Sequence, residues 1–118
     1  MFPALSAFLV IIKGERQGQR WYVRGDQMVL GRGSGCDLVL PEKRVSRKHI
    51  KIACEDGVYY LIDLNSKNGT WVNGHKLTGE TRLKDGDEIN IAMTVEFSFV
   101  VDNDMCRPMP AVNISATS

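Results

Sequence analysis

Breaks recur along this chain too closely for helices of ordinary length. Gly14–Gly18, Gly25-Asp26, Gly31–Gly35, Pro41, Asp56-Gly57, Asn68-Gly69, Asn73-Gly74 and Asp85-Gly86 cut it into short runs. Those runs are rich in β-branched and aromatic residues, and none carries a sustained helical period with caps. Short strands between closely spaced turns predict an all-β sandwich or barrel. Strands are expected at 7–13, 19–24, 28–30, 36–40, 49–54, 58–63, 71–72, 76–77, 81–83, 88–91 and 94–101. The first is read as buried on both faces, because 7–12 is an unbroken apolar run. In 49–54, Ile50 and Ile52 share a face. Asp56-Gly57 and Asn73-Gly74 predict tight hairpins, since these pairs adopt positive φ at little cost. After Asp102 the alternation stops and two prolines appear among small polar residues. The expected division is therefore one domain over 1–102 and a flexible tail or linker over 103–118.

At 118 residues the chain has room for one domain with a core that needs no staples. A net charge of +1 argues against a general nucleic-acid binder, which needs surplus cations to neutralise phosphates. Cys36, Cys54 and Cys106 form neither an even disulfide set nor a zinc spacing, so reduced thiols in a cytoplasmic protein are expected, with no metal and no cofactor. The apolar start at 1–12 lacks a basic flank and a small-residue cleavage site, so it does not read as a leader, and 7–13 reads as a first strand. No apolar run approaches the roughly 20 residues a bilayer span requires, so no membrane insertion is expected.

Charge is nonetheless concentrated. Lys43, Arg44, Arg47, Lys48 and Lys51 fall within 41–51 against one acid, Glu42, while Asp85, Asp87 and Glu88 cluster later as if to answer them. Ser46 and His49 lie inside the basic run. Leu30-Gly31-Arg32 precedes it and Asn65–Thr70 follows it. Loops carrying these three segments, gathered at one end of a β-sandwich, would offer a guanidinium from Arg32, a hydroxyl from Ser46, an ammonium from Lys67 and backbone N–H groups beside glycines. That set suits a phosphorylated side chain, which carries about two negative charges and three strong acceptor oxygens. Charge-assisted hydrogen bonds contribute about 1.5–3 kcal/mol each, so three of them are compatible with affinity on the order of micromolar.

Gly31-Arg32, Ser46-x-x-His49 and Ser66-Lys67-Asn68-Gly69-Thr70, in that order and at that spacing, resemble the signature of the forkhead-associated (FHA) domain family. The resemblance covers about residues 7–101. It implies a sandwich of two antiparallel sheets with about eleven strands and recognition loops at one end. It implies a phosphothreonine-peptide-binding module acting in Ser/Thr kinase signalling, whose partner is a phosphothreonine-containing protein. By resemblance, Arg32 holds the phosphate, Ser46 donates its hydroxyl, and Asn68 binds the peptide backbone. Gly31, His49, Gly69 and Thr70 support the site. Arg47 is a further contact, and Arg44 is expected to read an acidic residue after the phosphothreonine. The family prefers phosphothreonine over phosphoserine because one methyl fills a small pocket, worth roughly 1–3 kcal/mol. Lys67 stands where family members often carry threonine, so it meets the phosphate as a point charge and without the hydroxyl geometry.

Three other uses compete with this one. The fold could serve a phosphate-independent interaction or self-association, for which Lys67 is the local reason. A basic loop could bind anions or nucleic acid electrostatically, with a steep salt dependence. Ser46 and His49 could suggest a nucleophile and base, but no strained elbow, third orienting residue or oxyanion hole accompanies them, so no enzyme is expected. Trp21 and Trp71 are expected in packing, and His75 in solvent.

Overall fold

The computed structural model describes residues 6–13 and 16–102. The expected tail at 103–118 lies outside the described residues, as do residues 1–5 and part of the first turn. Eleven strands follow one another: β1 (Ser6–Lys13), β2 (Arg20–Tyr22), β3 (Gln27–Gly31), β4 (Leu38–Val39), β5 (Ile50–Glu55), β6 (Val58–Asp63), β7 (Thr70–Val72), β8 (His75–Lys76), β9 (Glu80–Leu83), β10 (Glu88–Ile91) and β11 (Val95–Asp102). No helix occurs among the described residues. One sheet has the order β2-β1-β11-β10-β7-β8 and the other β4-β3-β5-β6-β9. The all-β sandwich expected from the turn spacing is thus what forms.

Alternation decides which side chains face inward. Leu9, Ile11, Phe97 and Phe99 on β1 and β11 meet Leu30, Ile50, Ile52 and Leu61 on β3, β5 and β6, all fully or almost fully buried. Each such side chain contributes roughly 1.5–3 kcal/mol of burial. The expectation that β1 is buried on both faces is only half met. Ala7, Leu9 and Ile11 enter the core, while Val10 and Ile12 on the other face are half-buried. Phe8, also outward, is covered by Tyr22 at 5.6 Å between ring centroids and by the Arg20 guanidinium at 5.3 Å. An apolar run therefore marked a strand without showing that only one face is packed.

Asp56 (φ 51°) and Gly57 (φ 79°) close the β5–β6 hairpin, and Asn73 (φ 50°) and Gly74 (φ 84°) close β7–β8, as those pairs predict. Among the described residues the β3–β4 pair is the one parallel contact, matching Leu30 with Leu38 and Gly31 with Val39. Parallel partners ordinarily need a long crossover. Here the loop 32–37 doubles back, and Asp37 secures the return by donating its N–H to Val29 O (2.9 Å) and accepting the Val29 N–H on its carboxylate (2.8 Å). The result is a short arch projecting Arg32 from the sheet end.

The acids at 85–88 do not answer the basic run. Asp85 and Asp87 sit in the turn between β9 and β10, and Glu88 begins β10, at the opposite end of that strand from Ala92. Asp87 is buried, accepting hydrogen bonds from Lys84 N (2.8 Å) and Asn73 Nδ2 (3.0 Å), and Asp85 accepts Val101 N–H (2.8 Å). The two aspartates brace this turn, Asp87 against Lys84 and Asn73 and Asp85 against the β11 backbone.

Candidate functional site

The basic run is held down by its few apolar residues. Leu40, Val45 and Ile50 are buried, so the chain between them loops out as exposed Lys43 and Arg44, then Arg47 and Lys48. The loop lies directly on the end of β3. A Cβ on Gly31 would overlap the Arg47 carbonyl oxygen, with the carbonyl carbon at 2.7 Å and the Ser46 oxygen at 2.9 Å. Only glycine permits that approach. Beyond it, Arg32 N–H donates to Ser46 O (2.9 Å) and Gly33 N–H to Arg47 O (3.0 Å). Arg32 also donates Nε–H to Val45 O at 3.0 Å. One edge of the guanidinium is thereby fixed, and its remaining N–H groups are available to an anion beside Ser46.

His49 is fully buried and joins two loops. Its Nδ1 accepts the Ser46 N–H at 3.0 Å, and Nε2 lies 2.8 Å from Gly69 O. A nitrogen that accepts must be unprotonated, so Nε2 carries the hydrogen and donates to the carbonyl. Burial lowers the His49 pKa, opposed by the Gly69 carbonyl and by Asp63. Both ring nitrogens are therefore committed to backbone, and neither is placed to take a proton from the Ser46 hydroxyl. The arrangement supports a loop and not a nucleophile.

The third loop is shaped by Asp63 at the end of β6. Its carboxylate accepts hydrogen bonds from Ser66 Oγ (2.6 Å), Ser66 N (3.2 Å) and Thr70 Oγ1 (2.8 Å). Thr70 is fully buried, so its hydroxyl needs this partner. The carboxylate rolls 64–69 toward the basic loop, and Lys67 donates its N–H to Ser46 Oγ at 3.0 Å. Asn68 donates Nδ2–H to Arg44 O at 2.6 Å. Gly69 has φ +88° and packs under the Trp71 ring, which a Cβ there would meet at 2.8 Å. Its carbonyl also accepts Ala92 N–H at 3.0 Å, bringing in the turn between β10 and β11.

Arg32, Ser46, Lys67 and Asn68 are thus drawn together from three loops. Gly31, His49, Gly69 and Thr70 occupy the hydrogen-bonding and packing positions beneath them. Lys67 enters through its backbone, and its side chain is exposed. Arg47 enters through its carbonyl, which also accepts Cys36 Sγ–H at 2.9 Å, and its side chain is likewise exposed. The Arg44 side chain is turned along the surface, with Nε donating to Ala92 O at 3.1 Å. Trp21 and Trp71 are half-buried in packing and His75 is exposed.

Sequence reading placed a break at 92–93 but missed Asp63, Val45 and the left-handed form of the Ala92-Met93 turn. An aspartate three residues before a serine at the end of a strand is the local pattern that marks the first. Val45, alone among cations, carries no periodic signal. Ala92-Met93 has no glycine or asparagine to mark it as a turn, yet both residues have positive φ (56° and 59°).

With Lys67 N–H accepted on one lone pair, the Ser46 hydroxyl still has its hydrogen to donate. A guanidinium, a hydroxyl and two flexible cations on one rim match a tetrahedral dianion with several acceptor oxygens.

Comparison with known proteins shows which family this fold and sequence belong to. The family model described as "FHA domain" matches residues 28–92. The chain is 35% identical over 89 residues to the oxoglutarate dehydrogenase inhibitor of Corynebacterium efficiens, a match covering 75% of this chain and 62% of that protein. It is 34% identical over 89 residues to the glycogen accumulation regulator GarA of Mycolicibacterium smegmatis, covering 75% of this chain and 56% of the relative. The chain therefore spans less than two thirds of either relative's length. A solved structure from a study of phosphothreonine-dependent FHA domain interactions superposes with a TM-score of 0.73 at 33% identity, covering 88% of this chain and 99% of that one.

Proposed function

Because the chain belongs to the FHA domain family, we propose that it is a reader of phosphothreonine in Ser/Thr kinase signalling, binding a phosphorylated partner at Arg32, Ser46, Arg47, Lys67 and Asn68. The observation that carries this reading is the pairing of Ser46 with Lys67. The amide of one loop is satisfied by the hydroxyl of another, so the hydroxyl is oriented before any ligand arrives. Arg32 is oriented in the same way by Val45 O. Donors fixed in advance lose little freedom on binding. Arg32 takes two phosphate oxygens, Ser46 a third, and Lys67 and Arg47 supply charge from the rim. The Asn68 side chain, with one N–H committed to Arg44 O, keeps its carbonyl and second N–H for the peptide backbone. Arg44 is the residue read as meeting an acidic side chain after the phosphothreonine. The protein acts by binding and not by catalysis.

The test is titration of the chain with a phosphothreonine peptide library, with phosphoserine and unphosphorylated peptides as controls. Binding on the order of micromolar that needs phosphothreonine and is lost in Arg32→Ala, with the fold retained by circular dichroism, is the expected result. Equal binding of the unphosphorylated peptides would replace this reading with a phosphate-independent interaction. A steep salt dependence without phosphothreonine preference would point to nonspecific anion binding.

A further inference from the structure

Beside the loops that hold Ser46 lies a groove of about 440 Å³. Its floor is apolar: Ile11, Leu40 and Val95, each at most 6% exposed. Its rim is cationic, with Arg16 from the β1–β2 turn and Lys43 and Arg44 from the β4–β5 loop, against Glu42, the one acid among the described lining residues. Among the described residues the one ion pair is Lys13–Glu96, so none of the three rim cations is neutralised by a described carboxylate. Three positive charges around an apolar floor are complementary to an acidic segment bearing an apolar side chain.

The groove is joined to the phosphate-binding loops by Arg44. Asn68 holds the Arg44 carbonyl, and Ala92 O holds its Nε. The Ala92 carbonyl points there because Ala92 and Met93 both take left-handed conformations, at φ 56° and 59°. Such residues cost of order 1–3 kcal/mol each and persist only where the surroundings enforce them. The enforcing bonds are Ala92 N–H to Gly69 O (3.0 Å), Met93 N–H to Asn90 Oδ1 (2.9 Å) and Thr94 N–H to Ile91 O (3.0 Å). Arg44 is thus a fixed wall shared by both regions, while the Arg16 and Lys43 side chains are exposed. Lys43 stands three positions before Ser46, at most about 11 Å along the backbone, so one extended peptide reaches both.

We propose that this groove extends the phosphopeptide site, and that Arg16 and Lys43 select an acidic segment with one apolar side chain on one flank of the phosphothreonine in the same partner chain. The inference rests on the phosphothreonine reading above.

The experiment titrates the chain and its Arg16→Glu/Lys43→Glu variant with four peptides. One is phosphorylated with a Gly/Ser flank on both sides. Two are phosphorylated with an acidic-apolar flank on the N-terminal or the C-terminal side. The fourth is an unphosphorylated acidic-apolar peptide. Wild type is expected to bind one of the flanked phosphopeptides about fivefold more tightly than the Gly/Ser peptide, as two exposed charge pairs allow. The variant, checked for folding by its melting curve, is expected to lose that preference. Equal gains from either flank, which would signal nonspecific attraction, overturn the inference, as does a preference that survives charge reversal. Phosphopeptide binding with no flank effect overturns the groove assignment alone. Absence of any phosphothreonine binding overturns both readings.

Discussion

The Ser46 hydroxyl accepts the Lys67 amide hydrogen at 3.0 Å, across 21 positions of sequence. One serine therefore serves two ends: it ties the basic loop to the β6–β7 loop, and it keeps a hydrogen for a ligand. Ser46→Ala is expected to lower stability by about 1 kcal/mol, the net worth of one such bond, and to weaken phosphopeptide binding by about 10-fold or more. Urea denaturation and calorimetric titration measure the two effects. An alanine variant that keeps wild-type affinity would remove Ser46 from the ligand contacts.

Lys67 contributes its amide to the brace while its side chain is exposed. Lys67→Ala is expected to keep the fold and to lose only a few-fold in affinity, with a smaller salt dependence. Lys67→Pro removes the N–H and is expected to lose binding far more severely. Equal effects of the two substitutions on binding would show that the ammonium, and not the amide, is what matters.

Gly31 is the point where two loops touch. The atoms that a Cβ would meet are all backbone of Ser46 and Arg47, which cannot rotate away. Gly31→Ala is expected to destabilise the domain by about 1–3 kcal/mol, as overpacking does, and to displace Ser46. Gly18, with open space around it, is the comparison: Gly18→Ala leaves the site unmoved, although its φ of +93° adds local strain. A Gly31→Ala protein with unchanged melting temperature and phosphopeptide affinity would contradict the close approach.

Burial holds the His49 pKa below the ordinary histidine value of 6.5. Above that value the ring is neutral in the folded and unfolded chains alike. As pH falls below it, the unfolded chain takes up its proton first, so stability falls with acidification until the folded-state pKa is passed. Denaturation midpoints from about pH 8 to 5 should show this decline, and His49→Asn, less stable throughout, should show a smaller one. An unaltered slope in the variant would assign the acid sensitivity elsewhere. Phosphopeptide binding should weaken separately as pH drops through about 6, where the phosphate gains a proton.

Asp63 accepts three hydrogen bonds, two of them on one oxygen. Asp63→Asn replaces an acceptor with a donor facing N–H and O–H groups, and removes the negative charge near His49. Loosening of the 64–69 loop is expected, seen as faster amide exchange at Ser66 and Lys67 and as weaker phosphopeptide binding. Unchanged exchange at both amides would show that the loop is held by other contacts.

Most of the architecture was legible because turns and strands are written locally. Asp56-Gly57 and Asn73-Gly74 carry their own φ preferences, and Ile50 and Ile52 declare a buried face by their spacing. The order Gly31-Arg32, Ser46, His49, Asn68-Gly69 was legible as a pattern, by its resemblance to the family signature. The tertiary structure alone decided how they are used. Which atom of His49 accepts and which donates depends on Ser46 and Gly69 arriving from different loops. That Lys67 acts through its amide, and that Arg44 is turned onto the Ala92 carbonyl, depends on contacts across 21 and 48 positions. The break at Ala92-Met93 was expected, but its left-handed conformation was not, because neither residue favours it and bonds to Gly69 and Asn90 impose it. Local preference set where the chain bends and which faces turn inward; long-range hydrogen bonds to backbone set where Arg32 and Arg44 point.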